Sequence, residues 1–539
     1  MKKNRWKAMA ALAAAAVLAL SACGNSGEDG STQAAASADA GDAAAAAPTG
    51  TGEGSGEVGK SDIVIAGKSD IKTLDPMGTN DTTSSIAHRH IYSRLIEIDE
   101  NSEIVGDLAE SWEQVSDTEW KFKIHEGVKF HDGTDCTASD VKFSLERAKE
   151  MPRVKQYVEQ IDSITVEDDH NLTLHLAEPY APLLAALSHT GTSIVPEAAV
   201  TAQGDAFWEN PIGTGPMQFV EWVPNDHYSL KRFDDYFKGP GKTTSLTLRI
   251  MPEGGARTIA LETGEIDMSI SVDATDVQNV KANKELMALE KTSVSVEYLA
   301  MNCEKEPFND PKVRQAINYA LNQQEIIDVV LEGRGQVANS VMNVNIPGYS
   351  EEITGYSQDL EKAKALMAEA GYPDGFDLNL YISNTPTRVK MATLFQAYLQ
   401  QNLNVNVNIN TSEWGTFSEI GASGQADVFG MSWTWYPDPY FFLNKLFYSG
   451  EIGSLGNGQG YNNPEVDKCL ENALLTTDQN ERADLYKKAL ALIVKDMPGI
   501  FYANENVEWG VTPNVQGLVQ RADGKVKICT TDINVWLSK

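Results

Sequence analysis

Positive charge is scarce in this sequence. Its 539 residues include 44 Lys and Arg against 76 Asp and Glu, which gives a formal net charge of −32 at pH 7. Affinity for nucleic acid comes mainly from Lys and Arg side chains that neutralise phosphates, so a nucleic-acid partner is not predicted. The acidic balance indicates a soluble surface and says little about the fold. A chain of this length predicts two or three domains.

Cysteine and histidine are also few, with five and eight residues, and no C-x-x-C, H-E-x-x-H or G-x-S-x-G pattern occurs. Zinc, dithiol and common esterase chemistry are therefore not predicted. We predict no metal, no cofactor and no catalytic residue. A secreted hydrolase stays an alternative, because the separation of two carboxylates is a property of the fold. If the chain is exported, an even number of cysteines permits disulfides, and the sequence leaves open any pairing among Cys136, Cys303, Cys469 and Cys529.

The apolar run near the N-terminus, Ala8 to Leu20, has about thirteen residues and is too short to cross a bilayer of roughly 30 Å. Basic residues precede it and small residues follow it, which predicts an export signal over residues 1–22. The sequence Leu20-Ser21-Ala22-Cys23 resembles the bacterial lipobox, whose Cys is lipidated. We therefore expect a lipid on Cys23 that anchors the protein to the outer face of the cytoplasmic membrane. Residues 23–60 contain no aromatic residue and predict a flexible tether.

Two Gly-rich stretches invite a phosphate-binding interpretation. GSGEVGKS, Gly54–Ser61, matches the phosphate-loop pattern G-x-x-x-x-G-K-[ST], which needs a strand before it and a helix after it. Here a tether precedes it and the strand-like IVIA follows, so we interpret the match as a coincidence. The turn from Gly213 to Pro216 ends in proline and predicts a hinge or a pocket wall instead.

Strand-like and helical patterns interleave along the rest of the chain, which predicts an α/β fold. A strand begins at Asp62, and ITVEDDHNLTLHL predicts a hairpin with its turn at Asp168 to Asn171. Thr137 with Asp140 three residues later predicts a capped helix start. Further helices are predicted over about 311–323, 324–332, 357–371 and 388–401.

The stretch SWTWYPDPYFF, Ser432 to Phe442, has six aromatic residues among its eleven. Its two prolines forbid a regular helix through it. Binding sites use such side chains for large contact area with little loss of entropy. We predict that Trp433 and Trp435 contact a ligand and that Phe441 and Phe442 belong to the core.

Five stretches in one order resemble the family 5 solute-binding proteins of ABC importers, the dipeptide- and oligopeptide-binding class. They are the signature-like region Arg94 to Ala148, NPIGTGPMQFVEW from Asn210, GEID from Gly264, EPFNDPKVRQAINYAL from Glu306, and PDP at Pro437 to Pro439 followed by YNNPEVD. The likeness covers essentially the whole chain from Asp62 onward.

The resemblance implies an α/β fold with two lobes that form a periplasmic-binding-protein-like clamp around a hinge. The first lobe would comprise residues 61–295 plus 505–539 and include an extra subdomain, and the second would comprise residues 296–504. The ligand would be enclosed as the lobes close. A membrane permease with a cytoplasmic ATPase would then recognise the closed complex.

Residue by residue, Trp414 and Trp433 fall where the family places pocket tryptophans. The peptide binders also carry an acid that pairs with the peptide amino terminus, but here the loop is one residue shorter and Trp435 and Tyr436 stand in its place. Asp438 is the acid that can substitute, although it matches the PDP motif, where the acid more often fixes the loop.

The carboxylate-binding Arg of the dipeptide binders also has no clear counterpart, since Ile382 or Ser383 falls there. A buried ammonium group without a counter-ion costs several kcal/mol, so a short zwitterionic peptide held in the usual way is not expected. The candidate ligand-binding residues are Trp414, Trp433, Trp435, Tyr436 and Asp438.

These observations together predict a monomeric, membrane-anchored and non-catalytic receptor that delivers a solute to an ABC import permease. Peptide is the leading ligand class, because it dominates the family. The aromatic pocket and the missing amino-terminal clamp leave an oligosaccharide or a metal chelate as alternatives. An envelope signalling receptor that uses the same clamp is a further alternative, beside the secreted hydrolase.

Overall fold

The computed structural model describes residues 62–538 except 339, 344–345, 347–348, 435–437 and 530–532. The predicted signal peptide, Cys23 and the tether lie outside the described residues, and so does the phosphate-loop match. The same holds for two of the candidate ligand-binding residues, Trp435 and Tyr436.

Strands and helices alternate through the described part of the chain. The strands are β1 Asp62–Gly67, β2 Ile96–Ile98, β3 Ile104–Gly106, β4 Ala109–Ser116, β5 Glu119–Ile124, β6 Ile161–Val166, β7 Asn171–Leu176, β8 Met217–Val223, β9 His227–Arg232, β10 Ser245–Ile250, β11 Met268–Ser269, β12 Met287–Thr292, β13 Ser295–Met301, β14 Gly335–Val337, β15 Asp377–Ser383, β16 Asn406–Ser412, β17 Val428–Thr434, β18 Gly499–Val511, β19 Val515–Gln516 and β20 Trp536–Leu537. The α-helices are α1 Thr82–Ile91, α2 Ala138–Glu150, α3 Leu183–Leu187, α4 Glu197–Gln203, α5 Gly254–Glu262, α6 Ala274–Ala282, α7 Pro311–Tyr319, α8 Gln323–Val330, α9 Leu360–Glu369, α10 Pro386–Leu403, α11 Trp414–Ala422, α12 Tyr440–Phe447, α13 Pro464–Leu475 and α14 Gln479–Asp496.

The main sheet has the strand order β16-β15-β17-β13-β18-β11-β1-β10-β9-β8, with β12 and β14 also paired to β18. The long strand β18 changes partner along its length. Its first part, Gly499–Ala503, pairs antiparallel with β13, and its last part, Asn506–Val511, pairs antiparallel with β12. The β1 side and the β13 side of the structure are therefore connected through one continuous strand.

Helices cover both faces of the sheet on the β13 side. Val296 and Tyr298 of β13 belong to one core, with α12, α13 and α14. Leu299 and Met301 belong to a second core, with α7, α8, α9 and α10. Successive side chains of a strand point to opposite faces, so β13 supplies both cores.

The β1 side has a third core, which includes residues of β1, β10 and α1. The same core extends to α2 and to a separate antiparallel sheet of order β4-β5-β7-β6. This separate sheet contains the hairpin predicted over ITVEDDHNLTLHL, since β6 pairs antiparallel with β7. The hairpin prediction is confirmed.

Capping residues set the observed helix ends. The Asp140 carboxylate accepts a hydrogen bond of 2.9 Å from the Thr137 backbone N–H, as the sequence predicted for the start of α2. The helix predicted to begin at 357 begins instead at Leu360, because the Asp359 carboxylate accepts from the Lys362 N–H at 3.0 Å. Asn322 caps α8 through the Glu325 N–H, so the preceding helix ends before it, at Tyr319.

The turn predicted as a hinge or pocket wall packs against the C-terminal end of α1. A Cβ atom on Gly213 would lie 2.1 Å from the Ile91 carbonyl oxygen, and one on Gly215 would lie 2.4 Å from the His90 carbonyl oxygen. The Gly215 N–H donates to the Ile91 carbonyl at 2.9 Å. Glycine is required at both positions because two backbone segments meet there.

The histidines of α1 are structural. His88 Nε2 lies 3.0 Å from the Thr73 carbonyl oxygen, and His90 Nδ1 lies 2.8 Å from the Ile86 carbonyl oxygen. Burial lowers the pKa of each to about 4. The four described cysteines, Cys136, Cys303, Cys469 and Cys529, are free thiols in this structure. Each helix in the described ranges is too short or too polar to span a bilayer.

Candidate ligand-binding cavity

A cavity of about 460 Å³ lies between α1, β17, α12 and the segment that follows β18. That volume is within the range of small-molecule sites, roughly 300–1,000 Å³. Its walls come from four stretches that are distant in sequence, namely 80–98, 156–189, 433–456 and 521–525. The first two stretches and the last belong to the predicted first lobe, and the third belongs to the predicted second lobe.

Aromatic side chains from both predicted lobes line part of this cavity. The Trp433 indole N–H donates to the Phe441 carbonyl oxygen at 3.4 Å. The Tyr157 ring stacks on His189, with centroids 3.8 Å apart and an interplanar angle of 15°, and lies 5.7 Å from the Phe441 ring. Burial raises the pKa of Tyr157 to about 12 and lowers the pKa of His189 well below its ordinary value. This wall is therefore uncharged at neutral pH.

Charged side chains line another part of the cavity. Arg521 holds Asp523 through two hydrogen bonds of 3.1 Å, and Lys525 follows two residues later. Arg89 of α1 donates to Glu97 at 2.8 Å through Nη1. Its Nε is buried and has no hydrogen-bond partner among the described residues.

Burial and nearby positive charge together shift the pKa values of this group. Burial, and then the nearby Arg89 guanidinium, lower the pKa of Lys525 to about 7. Burial alone would raise the pKa of Asp523, but Arg521 and Lys525 hold it well below its ordinary value. Lys445 and Glu451, which also line the cavity, neutralise each other at 2.6 Å.

The sequence-predicted ligand-binding residues occupy different environments. Trp433 lines the cavity. Trp414 begins α11, its ring lies 5.7 Å from that of Phe417, and it is 55% exposed. Trp414 is not among the residues that line the cavity, and its role in binding stays a prediction.

Asp438 is engaged inside the protein. Its carboxylate accepts from the two terminal nitrogens of Arg482 at 2.7 and 2.6 Å, and from the Tyr440 backbone N–H at 2.9 Å. Asp438 and Arg482 are 7% and 6% exposed. For Asp438 the sequence left two roles open, contact with the ligand and fixing of the loop that contains the PDP motif. This geometry matches the second role, and contact with the ligand stays a prediction.

The comparisons with known proteins identify the family. Residues 103–454 match the model of the bacterial extracellular solute-binding proteins, family 5. The chain belongs to this family. The fold is accordingly the two-lobed α/β fold of periplasmic binding proteins, and the chain is a substrate-binding receptor of the ABC-importer type.

Individual relatives cover most of this family 5 protein. It is 32% identical over 473 residues to the glutathione-binding protein GsiB of Pectobacterium atrosepticum, covering 83% of this chain and 89% of that protein. It is 31% identical to heme-binding protein A of Haemophilus influenzae, covering 82% and 87%. The solved structure of the periplasmic binding protein DppA from Helicobacter pylori, in complex with the peptide STSA, has a TM-score of 0.74, 28% identity, and coverage of 89% and 98%.

Sequence reasoning about this family 5 protein missed most of the cavity. Arg89, Tyr157, His189, Arg521 and Lys525 were not among the predicted site residues. For Arg521 and Lys525 the sequence offered one indication, the segment RADGKVK, which contains two Lys and one Arg in a strongly acidic chain. Nothing in the sequence joined that segment to Arg89. Among the described residues there is no group of three or more His, Cys, Asp or Glu that is placed to hold a metal ion.

Proposed function

We propose that this family 5 protein is the extracytoplasmic, non-catalytic receptor that captures a peptide and delivers it to an ABC import permease. The observation that carries the proposal is the cavity of about 460 Å³ between stretches of the two predicted lobes. A ligand that contacts both lobes stabilises the closed form through contacts made in that form alone. The walls of the cavity combine uncharged aromatic rings with charged groups, and this combination suits a ligand that has apolar and ionic parts.

We propose that the lobes divide as the sequence predicted, with residues 61–295 plus 505–539 in one and 296–504 in the other. The change of partner along β18 supports this division. Residues up to Ala503 pair with β13, and Ala503 to Glu505 pair with β14, both strands of the predicted second lobe. Residues from Asn506 pair with β12 of the predicted first lobe, so the change lies one residue from the predicted boundary at 504/505. Strand β18 crosses the boundary between the lobes, and we expect the hinge there.

Peptide is the proposed ligand class for two reasons. GsiB is a glutathione-binding protein and DppA was solved with a bound peptide, and glutathione is itself a tripeptide. The acid with which the family's peptide binders pair the amino terminus of a peptide has no clear counterpart in this chain. This absence argues against a neutral zwitterionic dipeptide bound through such a pair. An oligosaccharide stays the second candidate, because Trp433 offers an aromatic face on which a sugar ring can stack.

We further propose that Cys23 carries a lipid that tethers the receptor to the outer face of the cytoplasmic membrane and that the receptor is a monomer. The lipobox-like sequence before Cys23 and the Gly- and Ala-rich residues 23–60 support the anchor. Metabolic labelling with a radioactive fatty acid tests it. Label should enter the unaltered chain and be absent from Cys23→Ser.

Calorimetric titration of the purified protein with tripeptides and with oligosaccharides tests the proposed function. The tripeptide should bind, and at 100 times its dissociation constant it should raise the free energy of unfolding by roughly 2.7 kcal/mol. It should be recovered chemically unchanged. Binding of oligosaccharides without binding of peptides would overturn the ligand class. Recovery of a cleaved peptide would overturn the non-catalytic role.

Two tryptophan variants locate the site. Trp433→Ala should weaken tripeptide binding by about 2 kcal/mol, because truncating a buried aromatic contact commonly costs that much. Trp414→Ala is the comparison, because Trp414 is the other predicted pocket tryptophan but is 55% exposed and outside the cavity, so a smaller loss is expected. Equal losses in the two variants would contradict the assignment of the cavity.

A further inference from the structure

The two proposed lobes touch each other outside the strand where the hinge is expected. The Ala181 backbone N–H, in the proposed first lobe, donates to the Leu474 carbonyl oxygen, in the proposed second lobe, at 3.0 Å. Next to it, the Tyr180 ring of the first lobe meets the Tyr440 ring of the second edge to face, with centroids 5.7 Å apart and an interplanar angle of 88°. These residues are distant in sequence from the chain crossings at 295/296 and 504/505, so no covalent connection holds the contact together.

The contact buries apolar surface of the second lobe against the first. Phe441, near the start of α12, is 8% exposed and belongs to the core that includes β1, β10 and α1, and Tyr440 and Leu474 pack against that same core. Tyr180 is 3% exposed. Separation of the two lobes at this place would return these side chains to water, which the hydrophobic effect opposes.

The first-lobe side of the contact is a stiff corner. Tyr180 and Ala181 stand between Pro179 and Pro182, and each proline ring fixes one backbone dihedral angle. Helix α3 begins directly after the second proline, at Leu183. A segment held in this way loses little conformational entropy when it docks on the other lobe.

The second-lobe side offers a matching acceptor on a fixed support. Leu474 lies in the last turn of α13, and the last four carbonyl groups of an α-helix have no partner within the helix. The Ala181 N–H supplies a partner for one of them. The start of α12 is held as well, because the Tyr440 N–H donates to the Asp438 carboxylate at 2.9 Å and Arg482 donates to the same carboxylate.

The contact also borders the candidate ligand-binding cavity. Phe441 lines this cavity, and so does Tyr157 of the proposed first lobe, whose ring centroid lies 5.7 Å from that of Phe441. A ligand in the cavity therefore lies beside the place where the lobes meet. Rotation of one lobe about β18 would separate surfaces that lie outside the hinge.

We propose that this contact is an interlobe latch that stabilises the closed form of the receptor. The latch comprises Tyr180, Ala181, Tyr440, Phe441 and Leu474. The inference rests on the proposed receptor function and on the proposed division into lobes. Contacts that exist in the closed form alone shift the population toward that form, and a less populated open form releases its ligand more slowly.

Small-angle X-ray scattering of the ligand-free protein tests the latch without any ligand. Tyr180→Ala and Tyr440→Ala truncate the ring pair from opposite lobes, so each should raise the radius of gyration and shift the pair-distance distribution toward longer distances. The double variant should expand the protein about as much as the stronger single variant, because both substitutions remove one shared contact. Circular dichroism checks that each variant is folded. Scattering by Tyr440→Ala that is identical to that of the unaltered protein would overturn the latch.

Two further variants separate the latch from a general loosening of the fold. The Tyr180 hydroxyl is buried and has no hydrogen-bond partner among the described residues, so Tyr180→Phe loses no hydrogen bond and should scatter like the unaltered protein. Tyr356→Ala is the matched control, because it truncates an edge-to-face pair with Tyr319, 4.7 Å between centroids, that lies wholly within the second lobe. Equal expansion in Tyr356→Ala and Tyr440→Ala would count against the latch.

Release of glutathione, measured by stopped-flow mixing, tests the consequence for binding. Tyr440→Ala should raise the dissociation rate roughly fivefold, as expected for loss of an aromatic pair, and should change the association rate far less. An unchanged dissociation rate would overturn the latch even if the scattering expands. If neither glutathione nor Ala-Ala-Ala binds the unaltered protein, the proposed peptide class is wrong, and the scattering by itself then confirms or refutes the latch.

Discussion

Asp438 offers the sharpest test of how the aromatic loop is held, through the substitution Asp438→Asn. The change keeps the size of the side chain and removes its negative charge. In the native protein that charge compensates Arg482, whose guanidinium forms two hydrogen bonds to it of 2.7 and 2.6 Å. Burial alone would lower the pKa of Arg482, but the Asp438 carboxylate raises it above its ordinary value in the native protein. The variant removes that carboxylate, yet a guanidinium group is not deprotonated in proteins, so Arg482 stays charged.

The expected cost follows from this geometry. Both side chains are nearly inaccessible, at 7% and 6% exposed, and removing one partner of a buried ion pair typically costs about 3–5 kcal/mol. Arg482 keeps hydrogen bonds to the Ala473 carbonyl and the Tyr486 hydroxyl, each 3.0 Å long. The lower end, about 3 kcal/mol, is therefore expected. That loss is large against a typical folding free energy of about 5–15 kcal/mol.

Urea denaturation followed by tryptophan fluorescence measures the free energy of unfolding. Glu146→Gln is the control, because it breaks an ion pair with Lys142 in which the side chains are 50% and 41% exposed, and it should cost about 0.5 kcal/mol or less. A loss below about 1 kcal/mol in Asp438→Asn would refute the reasoning. Unchanged stability with loss of tripeptide binding would instead assign Asp438 to the ligand.

The remaining predictions concern one backbone contact and two buried titrating groups. Gly213→Ala should lower the thermal midpoint of unfolding by several degrees, because its Cβ would lie 2.1 Å from the Ile91 carbonyl oxygen. Gly255→Ala is the control and should raise the midpoint slightly, because this helical position has no atom within 4 Å of the added Cβ. Equal effects of the two substitutions would contradict the close approach at Gly213. Burial lowers the pKa of His131 to about 4, so its stabilising contribution is complete above pH 6.5 and is lost as the pH falls toward 4. His131→Gln should therefore reduce the stability lost between pH 7 and pH 5 by roughly 2 kcal/mol, and an unchanged pH slope in urea denaturation would rule this out. Burial raises the pKa of Glu297 to about 7, although the Arg388 guanidinium lies 3.0 Å away. Between pH 4.5 and 7 this carboxyl group is therefore more protonated in the native state than in the unfolded state. The free energy of unfolding then decreases as the pH rises through this range. Glu297→Gln should flatten that decline by no more than about 3 kcal/mol, and a parallel shift of the whole stability profile would contradict the assignment.

Local sequence determined the elements of the fold with good accuracy. The hairpin of β6 and β7 follows from alternation of apolar residues, and the start of α2 follows from Thr137 and Asp140. These features depend on residues within a few positions of each other, so periodicity and capping chemistry suffice. Helix ends were less accurate, as at Leu360, because the capping carboxylate of Asp359 was not recognised.

The sequence by itself also determined the family and the acidic character, and it predicted that Trp433 contacts the ligand. Only the tertiary structure decided which charges meet in the cavity. The Arg521 guanidinium donates to the Ile98 carbonyl at 3.1 Å across 423 positions of sequence, and no local pattern encodes such a meeting. The same is true of Asp438, whose fixing role depends on Arg482 in α14, 44 positions away. Composition reports a net charge for the whole chain, whereas folding decides which cations and which carboxylates meet at the cavity.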